Sequence, residues 1–81
     1  MSREKVLKEI TEILNEVLDR NDIALTEISK AKEIDGWDSL NHAIFIGEVQ
    51  KHFNLKFNLN EVLNLKNVGN ICDIVLQRIE S

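Results

Sequence analysis

Val6, Ile10, Ile13, Leu14 and Val17 recur at helical spacing, so residues 3 to about 18 read as an amphipathic helix. Ser2 stands where it can cap the first turn. The periodicity stops at Asp19-Arg20-Asn21-Asp22, which are poor helix formers. Residues 19–38 then show no clear period. A connection of that length in a compact domain usually serves a function or packs on itself. Ile23, Leu25, Ile28 and Ile34 are its expected anchors to the core, and Thr26 is placed to begin a short helical turn.

Asp38 is a suitable N-cap, and the pattern is helical again from Ser39 to about Phe53, closed by Asn54. Phe57-Asn58-Leu59-Asn60 turns the chain, with Asn60 expected to cap a short helix over 61–64. Asn67 caps a last helix whose core stripe is Val68, Ile71, Cys72, Val75 and Ile79. The sum is an all-α fold: a small four-helix bundle of three long helices and one short one, with a long first loop.

The second helix carries two apolar faces. On a wheel of about 100° per residue, His42, Phe45, Ile46, Val49 and Phe53 share one broad face, which is the core face. Leu40, Ile44, Gly47 and Lys51 fall nearly opposite. Leu40 and Ile44 cannot reach the same core, so they read either as scattered exposed apolars or as a contact stripe for another protein.

Composition narrows the classes. The chain has 81 residues, enough for one core and too few for two, so residues 1–81 are expected to form a single domain. Proline is absent and there are 3 glycines, which argues against a strand-and-turn architecture. No apolar run approaches the ~18 residues of a membrane span. The first residues lead straight into the helix without an apolar signal core, so a cytoplasmic location is expected. Cys72 is the single cysteine, which forbids an internal disulfide and is too little for a thiolate metal site; it reads as a small buried apolar residue. Net charge is -4 without a basic cluster, a poor match to nucleic acid or an anionic membrane. The acidity is lopsided: residues 1–40 hold the whole net charge, and residues 41–81 are balanced.

The segment Asp35-Gly36-Trp37-Asp38-Ser39-Leu40 carries the chemistry. It sets a serine hydroxyl on the first turn of a helix, after a flexible glycine and beside an aromatic expected to be exposed. Unpaired N–H groups and the positive dipole end suit a phosphate attached to that hydroxyl. Most Asp-Ser pairs at a helix start are only caps; Asp38 alone explains the cap here, so Ser39 has another role or none. Nucleophilic catalysis by Ser39 with His42 lacks an orienting carboxylate, an oxyanion hole and a nucleophile elbow, so the chain is not expected to be an enzyme. His42 is expected to be a packed or pocket-lining imidazole, and His52 a surface residue. No ligand spacing supports a metal site.

The sequence resembles the acyl carrier proteins. The resemblance runs ungapped from about Asp35 to the C-terminus and suits the first helix and long loop. Its centre is Asp38-Ser39-Leu40, followed by apolar positions at Ala43, Ile46, Val49 and Phe53, the Phe53-x-Leu55-x-Phe57 alternation, then Val62, Leu65, Val68 and Ile71. It implies a stand-alone carrier on which a phosphopantetheinyl transferase moves 4'-phosphopantetheine from coenzyme A to the Ser39 hydroxyl in a Mg²⁺-dependent reaction. The arm's thiol would hold an acyl or aminoacyl group as a thioester, passed between loading and acceptor enzymes by a monomer that catalyses nothing. Trp37, Asp38, Leu40 and Ile44 would meet partners, and His42, Phe45 and Ile46 would line an acyl pocket. The alternative is an interaction module that keeps the fold without the arm.

One departure matters. In fatty-acid carriers the exposed face of this helix resembles an acidic strip that basic partners read. Here the matching positions are Asn41, Ile44, Gln50 and Lys51, and only Glu48 is acidic. The Gly-Trp-Asp-Ser-Leu-Asn-His start looks more like carriers dedicated to a specialised pathway than like the housekeeping type.

Overall fold

The computed structural model describes residues 1–80 and has the element order α1 (Arg3–Val17), a 3-10 turn (Ala31–Glu33), α2 (Ser39–Phe53), α3 (Leu59–Leu63) and α4 (Val68–Glu80). Among the described residues there is no strand. The expected small helical bundle is therefore what forms. α1 packs on both α2 and α4. Val6, Ile10 and Leu14 of α1 are fully buried between Phe45 and Val49 of α2 and Val68, Ile71, Cys72 and Val75 of α4. Burying Cys72 pushes its thiol up to about 11, so it behaves as a small apolar side chain.

The helix ends follow from local chemistry. Ser2 Oγ accepts the Lys5 N–H at 3.2 Å, as its position suggested. Asn54 closes α2 in the left-handed region, with φ at 54°. The short helix starts earlier than expected, and its cap is Asn58 rather than Asn60. Asn58 Oδ1 accepts the Glu61 N–H at 2.8 Å while Glu61 Oε1 accepts the Asn58 N–H at 2.9 Å. That reciprocal box needs an acidic or amide side chain three residues after the cap. Asn60 has Leu63 there, so it cannot form one. The Arg78 guanidinium, 2.5 Å from Glu61, ties α3 to α4.

The long loop is packed on itself and on the helices. Asn15 of α1 both donates to the Ile23 carbonyl and accepts from the Ile23 N–H, each at 3.1 Å, as a paired strand would. Ile23 and Leu25 are buried and Ile34 is half-buried, as anticipated. Ile28 is not an anchor: it is 78% exposed. A turn from Thr26 to Ser29, closed by Ser29 N–H on the Thr26 carbonyl at 3.1 Å, leaves Ile28 outside and aims backbone at α4 instead. Ile79 is also outside the expected core stripe, at 38% exposure, because α4 has by then run past Val75, its last buried position. Among the described residues no helix is long and apolar enough to cross a membrane.

Candidate functional site

The start of α2 is held by two side chains. Asp38 Oδ1 accepts the Asn41 N–H at 2.9 Å, and the Asp38 carbonyl accepts the His42 N–H at 2.8 Å. Asn41 in turn donates its side-chain amide to the Gly36 carbonyl at 2.8 Å, fastening the preceding loop to the first turn. Ser39 is the first helical residue and is exposed. With Asp38 serving as cap, the Ser39 hydroxyl makes no hydrogen bond among the described residues. The fold leaves it free to react.

Trp37 is placed differently from expectation. It is 6% exposed, not a projecting aromatic, so it is not a surface for docking a partner. Gly36 adopts φ +90°, a conformation that costs other residues strain, and the Trp37 N–H closes a tight turn on the Ile34 carbonyl at 3.2 Å. That turn swings the indole inward. Its ring meets Phe45 edge-on, centroids 5.3 Å apart, and its N–H donates to His42 Nδ1 at 3.0 Å.

This hydrogen bond settles the chemistry of His42. The indole N–H can only donate, so Nδ1 presents its lone pair and the neutral ring keeps its proton on Nε2. Burial holds the imidazole below its ordinary pKa, which favours that neutral form. A general base in a serine triad needs the reverse: Nδ1–H on a carboxylate and a free Nε2. Ser39 and His42 are therefore not a hydrolytic pair.

An open groove of about 510 Å³ lies beside the serine. Trp37, Ser39 and His42 line it from the α2 side, and Val62, Leu63 and Leu65 from α3 and the segment after it. Lys32 and Lys66 also border it. Of the three residues expected to line an acyl pocket, only His42 reaches this groove. Phe45 and Ile46 sit in the closed core, 0% and 4% exposed, and the Trp37 ring packs edge-on against Phe45. Leu40 and Ile44 are exposed, as the helical wheel anticipates, at 72% and 46%. Ile44 does not join the groove; it borders a separate depression between α1 and α2 with Val17 and Glu48. His52 is at the surface, where it meets Glu9 of α1 at 2.7 Å.

The groove's α3 wall and its lysines escaped the sequence reading. They come from segments remote in sequence, and no periodicity links them to Ser39. The Trp37–His42 bond is signalled only by two polar-tipped rings five residues apart across a helix start, a spacing without a standard pattern.

These residues fit a phosphate-linked arm. The serine hydroxyl is exposed and unused, it sits on a helix N-terminus, and a groove opens next to it. Comparisons with known proteins bear on the kind of group the chain carries. A family model described as a phosphopantetheine attachment site matches residues 8–75. The solution NMR structure of a holo acyl carrier protein from Geobacter metallireducens superposes with a TM-score of 0.86 at 39% identity, covering 93% of this chain and 86% of that one. No curated protein matches.

Proposed function

The chain belongs to the acyl carrier protein family, whose members are non-catalytic carriers with covalently attached 4'-phosphopantetheine, and from that membership we propose that Ser39 is the attachment residue. The observation that carries this reading is the Ser39 hydroxyl itself: first in α2, exposed, and relieved of capping by Asp38. Ser39 Oγ would displace adenosine 3',5'-bisphosphate from coenzyme A: the Oγ–P bond forms as the diphosphate P–O bond to that leaving group breaks, and the hydroxyl proton passes to a base of the transferase. Asp38 holds the first turn so that its remaining N–H groups face the new phosphate. When bound, the arm supplies a terminal thiol that holds an acyl or aminoacyl group as a thioester for transfer between pathway enzymes. Leu40 and Ile44 offer apolar contact to the transferase and to loading and acceptor enzymes. Residues 1–81 act as one monomeric, cytoplasmic carrier domain.

The nearly neutral outer face of α2 supports a specialised pathway over housekeeping fatty-acid synthesis. Glu48 is its only acid, and Ile44 and Lys51 stand where an acidic strip would steer basic partners.

The deciding experiment is mass spectrometry after incubation with coenzyme A and a promiscuous phosphopantetheinyl transferase. The wild-type chain gains the mass of one phosphopantetheine, and a folded Ser39→Ala variant gains none. No gain on the wild type, or an equal gain on the variant, overturns the assignment and favours an interaction module without an arm.

A further inference from the structure

The hydrogen-bonded pair of Trp37 and His42 has a consequence beyond excluding hydrolysis. Its indole is fixed on two sides, by the edge-on contact with Phe45 at 5.3 Å and by the 3.0 Å bond to Nδ1. His42 therefore presents Nε2 as a donor, and that Nε2–H has no hydrogen-bond partner among the described residues. His42 is half-buried and lines the groove of about 510 Å³ that Ser39 also borders. That nitrogen is not among the described buried polar atoms left unsatisfied, so it reaches solvent, and an acceptor entering the groove would take the place of water on it. His42 follows Ser39 by three residues, so the two side chains are neighbours on one face of α2, about 5–6 Å apart at Cβ. The other charged groups at the groove are Lys32, Lys66 and Asp38, and an Asp38 oxygen is already engaged by the Asn41 N–H.

We infer that His42, held in one tautomer by the Trp37 indole, donates its Nε2–H to an acceptor oxygen of the group carried on Ser39. This rests on Ser39 being the attachment residue. The acceptor is either a phosphodiester oxygen or an amide carbonyl of the arm. Trp37 is a positioning residue: it touches the arm's partner rather than reacting, and it acts by choosing which imidazole nitrogen bears the proton.

Two NMR measurements on the full chain test this. The first uses apo protein with ¹⁵N-labelled histidine, so it does not depend on the arm. At neutral pH the His42 Nδ1 resonance should be that of an unprotonated nitrogen and Nε2 that of a protonated one. Trp37→Phe keeps a ring and loses the N–H, and should let the Nδ1–H tautomer appear. A wild-type ring protonated on Nδ1 overturns the inference at once.

The second compares apo with holo protein made from coenzyme A. The His42 Nε2–H resonance should shift on loading. His42→Phe should move the arm's ³¹P resonance if a phosphodiester oxygen is the acceptor, or an arm carbonyl ¹³C resonance if an amide is. His42→Gln, which restores a donor, should move that resonance back toward wild type. If neither arm resonance responds to His42→Phe, the contact does not exist. If the wild-type chain takes up no arm by mass, the attachment reading fails and the contact falls with it, while the apo tautomer result stands by itself.

Discussion

Two of the long helices in this molecule begin with an asparagine or aspartate cap and an apolar stripe, yet their first turns have opposite fates. At the start of α4, Asn67 Oδ1 accepts the Asn70 N–H at 3.1 Å, and the long loop then covers what remains. The Glu27 carbonyl accepts the Gly69 N–H at 2.7 Å and the Ser29 carbonyl accepts the Val68 N–H at 2.9 Å. Arg3 locks the arrangement, bridging Glu27 at 2.6 Å, Asp73 at 2.7 Å and the Gly69 carbonyl at 3.2 Å. At the start of α2 only the cap is filled. Ser39 is exposed there and borders a groove. A helix N-terminus becomes a place for chemistry when the rest of the chain leaves it uncovered.

The contrast can be broken at its sealed end first. A methyl group on Gly69 would lie 2.9 Å from the Glu27 carbonyl oxygen, which is backbone and cannot swing away. Gly69→Ala should therefore destabilise the fold by about 1–3 kcal/mol in denaturant titration. An unchanged midpoint would mean the loop does not seal α4. Next in size is the cap of the open end. Asp38→Ala should cost about 1 kcal/mol, with Asp38→Asn close to wild type. Equal losses for both would point to the charge rather than the hydrogen bond.

Gly47 gives the opposite sign. It lies inside α2 on the uncovered side, and an added methyl meets nothing within 4 Å. Gly47→Ala should stabilise by about 0.5–1 kcal/mol, read as a raised melting temperature. A loss would show that a neighbour packs on that side after all.

The smallest expected effect is a pH dependence at the groove. His42 has its pKa lowered in the folded state, so folding favours the neutral ring. Its contribution is complete above the unfolded histidine value of about 6.5 and declines as pH falls through the lowered folded value. The difference in stability between wild type and His42→Gln should narrow on acidification across that window. A difference that grows instead would contradict the assigned direction.

The bundle was largely legible in the chain because its core positions repeat at helical spacing. Val6, Ile10 and Leu14, Phe45 and Val49, and Ile71 and Val75 are buried where the periodicity places them. The capping roles of Ser2, Asp38, Asn54 and Asn67 were legible for the same reason: caps depend on neighbours within three or four residues. The misplacements have a shared cause. Ile28 is an apolar residue that the sequence places among the core anchors, but the Thr26–Ser29 turn directs it outward. Trp37 follows a glycine and is expected at the surface, but a turn at positive φ carries it inward. Phe45 and Ile46 share the core face with His42 but lie buried in the core, and the indole packs edge-on against Phe45.

What the sequence by itself determined, then, is the helical order, the cap at Asp38 and a serine freed from capping, since each rests on contacts between near neighbours. Tertiary structure alone decided that the loop closes α4 and leaves α2 open, and that Trp37 turns inward to set the proton on His42. It also decided that α3 supplies the other side of the groove. Those outcomes depend on segments meeting across the fold, and the free energy that selects them belongs to pairs of residues the local pattern never brings together.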